Sequence, residues 1–112
     1  MKYNIEYSKE AIKIMKSMDK ETANRIRKWF NNVLLKCNSP RDKGKALQGN
    51  LNKYWRYRIG NYRVIVDIKD KDLIIYIIKI EHRNKVYKEE VVDIIMLNKR
   101  SLNKNEYNEF EF

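Results

Sequence analysis

Cysteine, proline and glycine are all scarce in this chain of 112 residues. The single cysteine, Cys37, excludes a disulfide within the chain and is typical of proteins of the reducing cytoplasm, which is the location we expect. Three glycines and one proline indicate a chain built mainly of regular elements. One cysteine and one histidine cannot supply an ordinary metal site, and no glycine-rich phosphate loop is present, so we expect neither a metal nor a cofactor.

Long apolar runs are also missing. The longest, residues 73–80, has eight residues and includes Tyr76 and Lys79, whereas a membrane-spanning helix needs about 20 apolar residues. The opening residues are charged almost at once, so we expect no secretory signal and no membrane partner. Hydrophobic residues make up 43% of the chain, which is enough for the core of one domain.

Acidic residues are outnumbered, 15 against 25 lysines and arginines, which gives a net charge of +10 with the histidine neutral. The excess is local. Residues 41–63 hold seven basic side chains and one acid, Asp42, whereas the last seven residues hold three acids and no base. Such a surface favours a polyanionic partner, either a nucleic acid or an acidic protein.

Two amphipathic helices are predicted after a first strand at residues 2–7, where side chains alternate. Ser8 and Asp19 are good N-caps, and apolar residues at helical spacing follow each of them. The first stripe holds Ala11, Ile14, Met15 and Met18, and the second holds Ala23, Ile26, Phe30, Val33, Leu34 and Cys37. Almost no linker separates the two helices, so we expect a hairpin that lays one apolar face on a sheet.

Three strands and a closing helix are predicted beyond a basic, polar connection that runs to about Lys53. The strands are residues 54–59, 62–68 and 73–81, and the helix is residues 88–97. We therefore expect an α+β fold of order β-α-α-β-β-β-α over residues 1–97, with the helix hairpin on one face of a small, mainly antiparallel, twisted sheet. Residues 98–112 form either a polar, acidic-ended tail or an extra helix.

The turn Gly60-Asn61 fixes a register between two of these strands. If these two residues form the loop, Arg58 faces Arg63 directly, and Arg56 lies one diagonal away on the same face. Like charges opposite each other destabilise a sheet, so the three guanidiniums suggest a binding site for an anion. The alternative is a solvated basic face on which Asp67 or Glu81 relieves the repulsion.

The segment after the last strand adds an arginine, Arg83, and a tyrosine four residues later, Tyr87. An arginine for phosphate and a ring for base stacking are common in the recognition of single-stranded RNA. Tyr87 is equally consistent with a ring packed over the sheet edge. His82 is the only histidine, and the sequence pairs it with neither an acid nor a nucleophile.

Four segments together resemble the RelE/ParE superfamily of toxins from bacterial and archaeal toxin–antitoxin pairs, and within it the RelE branch. They are residues 7–11 (YSKEA), 44–51 (GKALQGNL), 54–64 (YWRYRIGNYRV) and 82–87 (HRNKVY). The resemblance runs in order over roughly residues 2–95, and the element order predicted above is also that of the family.

This resemblance implies a metal-independent endoribonuclease that cleaves mRNA in the ribosomal A site, where its partners are mRNA and ribosomal RNA. The ribose 2′-OH attacks the adjacent phosphate and leaves a 2′,3′-cyclic phosphate. By position, Arg63 matches the phosphate-binding arginine of the family, Arg83 matches the one associated with the transition state, and Tyr87 matches the stacking ring. Arg56 falls on a position that is often lysine. The expected catalytic set is Arg56, Arg63, Arg83 and Tyr87, and the expected RNA-binding set is Lys45, Lys53, Arg58, His82 and Lys85.

The arginine at position 56 departs from the family pattern in a way that bears on the chemistry. A lysine there could lose a proton and act as general base, whereas an arginine keeps its proton. Arg56 is therefore expected to bind phosphate. The base is then Lys53, His82, Tyr87, or a group of the ribosome or the solvent.

The sequence is also consistent with two other functions. One is a ParE-like toxin that inhibits DNA gyrase by binding, and the other is a relative that binds RNA or an antitoxin without catalysis. In every case the implied protein partner is an acidic antitoxin. One of its amphipathic segments would fold along the basic surface and either block the site or displace an element, for which the helix at residues 88–97 is the candidate.

Overall fold

The computed structural model describes residues 1–82. The described elements are two helices, α1 (Lys9–Ser17) and α2 (Lys20–Asn32), and five strands, β1 (Asn4–Tyr7), β2 (Lys45–Ala46), β3 (Trp55–Ile59), β4 (Tyr62–Lys69) and β5 (Ile74–His82). Short 3₁₀ turns lie at Leu34–Lys36 and Gly49–Leu51. The predicted closing helix at 88–97 and the tail at 98–112 fall outside the described residues.

Both predicted helix starts are confirmed, because both capping side chains accept backbone hydrogen bonds. The Ser8 hydroxyl accepts from the N–H of Ala11 at 3.0 Å, and the Asp19 carboxylate accepts from the N–H of Thr22 at 3.0 Å. Ser8 is fully buried and also donates to the carbonyl oxygen of Ile78 in β5 at 2.8 Å. The start of α1 is therefore fixed to the middle of β5.

The helix faces differ from prediction at two points. Ile12 is buried, whereas Ile14 is 39% exposed. These two residues flank the stripe of Ala11 and Met15 on opposite sides, so a helix oriented by its capped start buries only one of them. α2 ends at Asn32 rather than running on to residue 37. The following 3₁₀ turn buries Leu34 and leaves Val33 exposed and Cys37 half-buried.

The sheet has the strand order β1-β5-β4-β3-β2. β1 pairs in parallel with β5, and all other pairs are antiparallel. The prediction of a mainly antiparallel sheet is therefore confirmed. The two-residue strand β2 was not predicted. It approaches β3 closely because Gly44, with φ +81°, has no side chain: a Cβ there would lie 2.8 Å from Nε1 of Trp55.

The two faces of the sheet have different cores. The helices cover one face and bury, among others, Phe30, Tyr57, Val64 and Ile77. The other face carries a smaller apolar cluster of Leu51, Tyr54, Ile65, Tyr76 and Ile78. A bulge between β4 and β5, beside Ile65 and Val66, separates the two registers of this strand pair. None of the described helices has the length and apolar character to span a membrane.

Candidate functional site

The hairpin of β3 and β4 has the register predicted from its turn. Ile59 pairs with Tyr62 and Arg58 pairs with Arg63, across a turn in which Gly60 adopts φ +59°. That backbone conformation is one that glycine adopts without strain, so the sequence at the turn enforces the pairing. The register confirms that two arginines face each other directly.

Two cross-strand rows of side chains lie on the face of the sheet that points away from the helices. The first row runs Lys45, Arg56, Ile65, Lys79 across β2, β3, β4 and β5. The second row runs Arg58, Arg63, Glu81 across β3, β4 and β5. Neighbouring strands are about 4.8 Å apart, so five cations and one carboxylate share a small area. We call this area the cationic face: Lys45, Arg56, Arg58, Arg63, Lys79 and Glu81.

The cationic face is open at its β2–β3 side. Lys45 and Arg58 are exposed, Arg56 and Arg63 are half-buried, and a groove of about 210 Å³ is lined by Gly44, Lys45, Arg56 and Arg58. Guanidinium groups present several N–H donors in a fixed plane and bind phosphate through paired hydrogen bonds. The groove is therefore suited to an anion with several oxygen atoms.

The apolar cluster of this face lies directly beside the cationic face, since Ile65 belongs to both the cluster and the first row. Tyr54 is only 2% exposed, and the Lys53 ammonium lies 5.0 Å from the centre of its ring. Lys53 thus lies two residues before β3, over the apolar cluster. A ligand along this face would meet charge on one side and apolar surface on the other.

Lys79 and Glu81 show a pairing that the sequence analysis missed. The Lys79 ammonium lies 3.3 Å from Oε2 of Glu81, whose side chain is only 3% exposed. Sequence reasoning treated residues 73–80 as an apolar run. The signal was the spacing of two at the end of the predicted strand 73–81, because Lys79 and Glu81, two apart in a strand, must share a face.

His82 lies on the opposite face from the arginines. It pairs with Tyr62, its ring centroid is 5.2 Å from that of Tyr62, and Tyr62 packs against the core under the helices. The structure therefore brings Lys45, Arg56, Arg58 and Arg63 together, with Lys53 nearby, and does not bring His82 to them. Arg83, Lys85 and Tyr87 fall outside the described residues. Within residues 1–82, no three side chains of the metal-binding types cluster as a metal site would require.

The connection that leads into the site is anchored to β3 by two aromatic side chains. Tyr57 donates its hydroxyl proton to the carbonyl oxygen of Pro40 at 2.5 Å, and the Trp55 indole donates to that of Lys43 at 2.7 Å. Burial raises the pKa of Tyr57 well above its ordinary value, so its hydroxyl stays a donor. These bonds place Gly44 and Lys45 against β3.

An ion pair ties the same connection to the turn between β4 and β5. Both guanidinium nitrogens of Arg41 donate to Asp70, at 3.0 and 3.1 Å, and the Tyr3 hydroxyl donates to Asp70 at 2.7 Å. The hydrogen bonds from Arg41 and then from Tyr3 lower the pKa of the Asp70 carboxyl. Arg41, one of the basic residues of segment 41–63, is therefore used to hold the fold.

Comparisons with known proteins identify the family of the chain. The family model described as "ParE toxin of type II toxin-antitoxin system, parDE" matches residues 5–87. No match was found among curated protein sequences.

Several solved structures share the fold. The archaeal RelE–RelB complex from Pyrococcus horikoshii is 29% identical, with a TM-score of 0.58, over 77% of this chain and 100% of that one. The RelBE2 toxin–antitoxin complex of Mycobacterium tuberculosis is 20% identical, with a TM-score of 0.64, over 74% and 93%. A double arginine-to-alanine mutant of the E. coli toxin RelE in the free state is 14% identical, with a TM-score of 0.60, over 90% and 99%. The two helices against a five-stranded mixed sheet, together with the family match over most of its length, establish that the chain belongs to the RelE/ParE superfamily of toxins from type II toxin–antitoxin systems.

Proposed function

We propose that this toxin is an endoribonuclease that cleaves mRNA in the ribosomal A site. The observation that carries the proposal is the pair of rows on the cationic face, where Arg56 and Arg58 line an open groove and Arg63 lies directly opposite Arg58 on the next strand. Two arginines that face each other across a strand pair reduce the stability of the sheet. A phosphate bound between them would offset this repulsion. An action on ribosome-bound mRNA would take place in the cytoplasm.

The proposed reaction needs no metal. The ribose 2′-oxygen attacks the adjacent phosphorus, the bond from phosphorus to the 5′-oxygen breaks, and a 2′,3′-cyclic phosphate and a 5′-hydroxyl remain. Negative charge builds up on the phosphoryl oxygens in the transition state, so fixed N–H donors stabilise it more than the substrate. We assign this role to Arg63 and Arg56, with Arg58 binding the neighbouring phosphate. By their positions in the family pattern, Arg83 would stabilise the transition state and the leaving group, and Tyr87 would stack on the cleaved nucleotide.

We assign the proton acceptor for the 2′-OH to a group other than Arg56, because an arginine does not give up its proton at ordinary pH. Lys53 lies over the Tyr54 ring of the apolar cluster beside the cationic face, whereas the His82 ring lies on the helix side with Tyr62. Holding the 2′-oxygen in line with the breaking bond would contribute much of the rate in any case. Lys45 and Lys53 would bind the RNA strand on either side, and Lys85 would add a further contact. The structure does not favour the expected contact of His82, because its ring lies on the other face of the sheet.

The protein partner would be an acidic antitoxin that covers the cationic face. Two of the similar structures are complexes of a RelE toxin with RelB. The antitoxin would neutralise the rows with carboxylates and lay apolar side chains on the cluster around Tyr54 and Ile65.

The test is to map mRNA ends on translating ribosomes supplied with the purified toxin. Cuts at a fixed position in the codon are expected with the wild-type chain and are expected to disappear in Arg63→Ala. The matched control is Lys28→Ala, which removes an exposed positive charge from α2 and leaves the cationic face intact. Intact mRNA with the wild-type chain, or equal cutting by Arg63→Ala, would refute the proposal.

A second candidate is inhibition of DNA gyrase by binding, because the matching family model is that of the ParE toxins. The same protein preparation tests it in a supercoiling assay. Loss of supercoiling with intact mRNA favours gyrase inhibition. Binding of RNA or of an antitoxin with neither effect identifies a relative without catalysis.

A further inference from the structure

Glu81 is a carboxylate inside an area of positive charge. It lies on β5 directly opposite Arg63, at the end of the row that begins with Arg58. In an antiparallel pair the Cβ atoms of opposed residues are about 4.5–5.5 Å apart, so the two side chains are in reach of each other. Lys79, two residues earlier on the same face, places its ammonium 3.3 Å from Oε2.

The burial of Glu81 is unusual for a carboxylate. The residue is 4% exposed, and among residues 1–82 neither of its oxygens accepts a hydrogen bond. Glutamate is almost never fully buried without partners, and buried polar atoms nearly always have hydrogen bonds. The negative charge is therefore balanced by surrounding positive charges, and an apolar residue at this position would be easier to accommodate.

A buried carboxylate of this kind restricts the positions that nearby cations can take. Lysine and arginine side chains on a free surface sample many rotamers, and binding a phosphate in one geometry then costs conformational entropy. The Glu81 carboxylate pairs with the Lys79 ammonium, and its charge would also attract the Arg63 guanidinium, which lies opposite it across the strand pair. Side chains restricted in this way lose less conformational entropy when they bind a phosphate.

We infer that Glu81 is a positioning residue of the cationic face, which holds Lys79 and Arg63 in the geometry needed at the reacting phosphate. The inference rests on the proposed ribonuclease function. Glu81 itself would not touch the RNA, since its oxygens are buried, and would act through the two cations. Neutralising it would therefore change the rate of cleavage while leaving the attraction for RNA intact.

The experiment compares Glu81→Gln with Asp67→Asn on programmed ribosomes. Both variants remove one negative charge from the same face of the sheet. Asp67, however, pairs with Tyr76, which belongs to the apolar cluster and not to the two rows. For Glu81→Gln we expect single-turnover cleavage to slow by about 100-fold per folded molecule, the size of effect that follows from a misplaced catalytic group. Its affinity for the ribosome complex should be equal or higher. For Asp67→Asn we expect wild-type cleavage.

Thermal unfolding of each variant gives the folded fraction, to which the rates are normalised. If Glu81→Gln does not fold, Glu81→Asp is tested instead. Aspartate keeps the negative charge but carries it on a side chain one methylene shorter. We expect this variant to fold and to cleave about tenfold slower than the wild-type chain. A wild-type rate per folded molecule in Glu81→Gln, or in Glu81→Asp where that variant is used, overturns the inference and leaves the proposed function standing. A wild-type chain that cleaves no mRNA overturns both.

Discussion

Arg58 should reduce the stability of the folded chain, because it lies directly opposite Arg63 in the hairpin. Like charges in this position disfavour the sheet by roughly 0.2–1 kcal/mol. We therefore expect Arg58→Gln, which keeps much of the length and removes the charge, to raise the free energy of unfolding by about 0.5 kcal/mol. For a domain of this size that corresponds to a rise in melting temperature of roughly 2–4 °C.

Salt separates this electrostatic effect from any change in packing. Arg58 is exposed, and the screening length falls from about 10 Å at 0.1 M salt to about 3 Å at 1 M. The gain in melting temperature should therefore be largest at low salt and nearly absent at 1 M. Thermal unfolding followed by circular dichroism at several salt concentrations measures it directly.

Arg41 provides a control of opposite sign. Its guanidinium pairs with Asp70, and the two side chains are 44% and 52% exposed. An exposed pair of this kind contributes about 0.2–1 kcal/mol, so Arg41→Gln should lower the melting temperature. If Arg58→Gln is destabilising, or if its effect does not change with salt, the reasoning from the hairpin register is refuted.

Three further predictions concern the parts that hold the site. Ser8→Ala removes a helix cap and a bond to β5, and we expect a loss of about 1–2 kcal/mol in the free energy of unfolding, measured by denaturant titration. Tyr57→Phe leaves the buried carbonyl oxygen of Pro40 without its donor and should cost about 1–3 kcal/mol in the same assay, with weaker binding of RNA as the connection loosens. The pKa of Asp70 is lowered in the folded chain by Arg41, so its contribution to stability is present above the ordinary carboxyl pKa of about 4 and is lost as the pH falls below it. Asp70→Asn should flatten this part of the curve of melting temperature against pH, and an unchanged acid limb would contradict the assignment.

The features that could be predicted from the sequence are those set by neighbouring residues. Ser8 and Asp19 cap helices that begin one residue later, and Gly60-Asn61 sets a register between the strands on either side of it. In each case the contact that fixes the helix start or the strand register joins residues only a few positions apart, so the local sequence is enough to predict it. The arrangement of the three arginines on one face followed from that register and from the alternation of side chains along a strand.

The features that could not be predicted depend on distant parts of the chain. β2 exists because Gly44 packs against residues 55–57, and the choice between Ile12 and Ile14 depends on how Ser8 bonds to β5. The place of Lys79 in the first row depends on a bulge between β4 and β5, which no local pattern marks. From the sequence, Glu81 could be recognised only as a negative charge near the arginines, because its burial depends on the assembled sheet.

The parallel pairing of β1 with β5 has a consequence for how the chain folds. The hydroxyl of Ser8 and its acceptor in β5 are 70 residues apart, and β1 has no other strand neighbour within residues 1–82. Contacts of such long sequence separation form late, because closing the large loop between them costs entropy before any contact compensates for it. During synthesis on a ribosome, β1 cannot pair fully with β5 until residue 78 has emerged. The arginine hairpin, whose paired residues are only a few positions apart, is complete earlier.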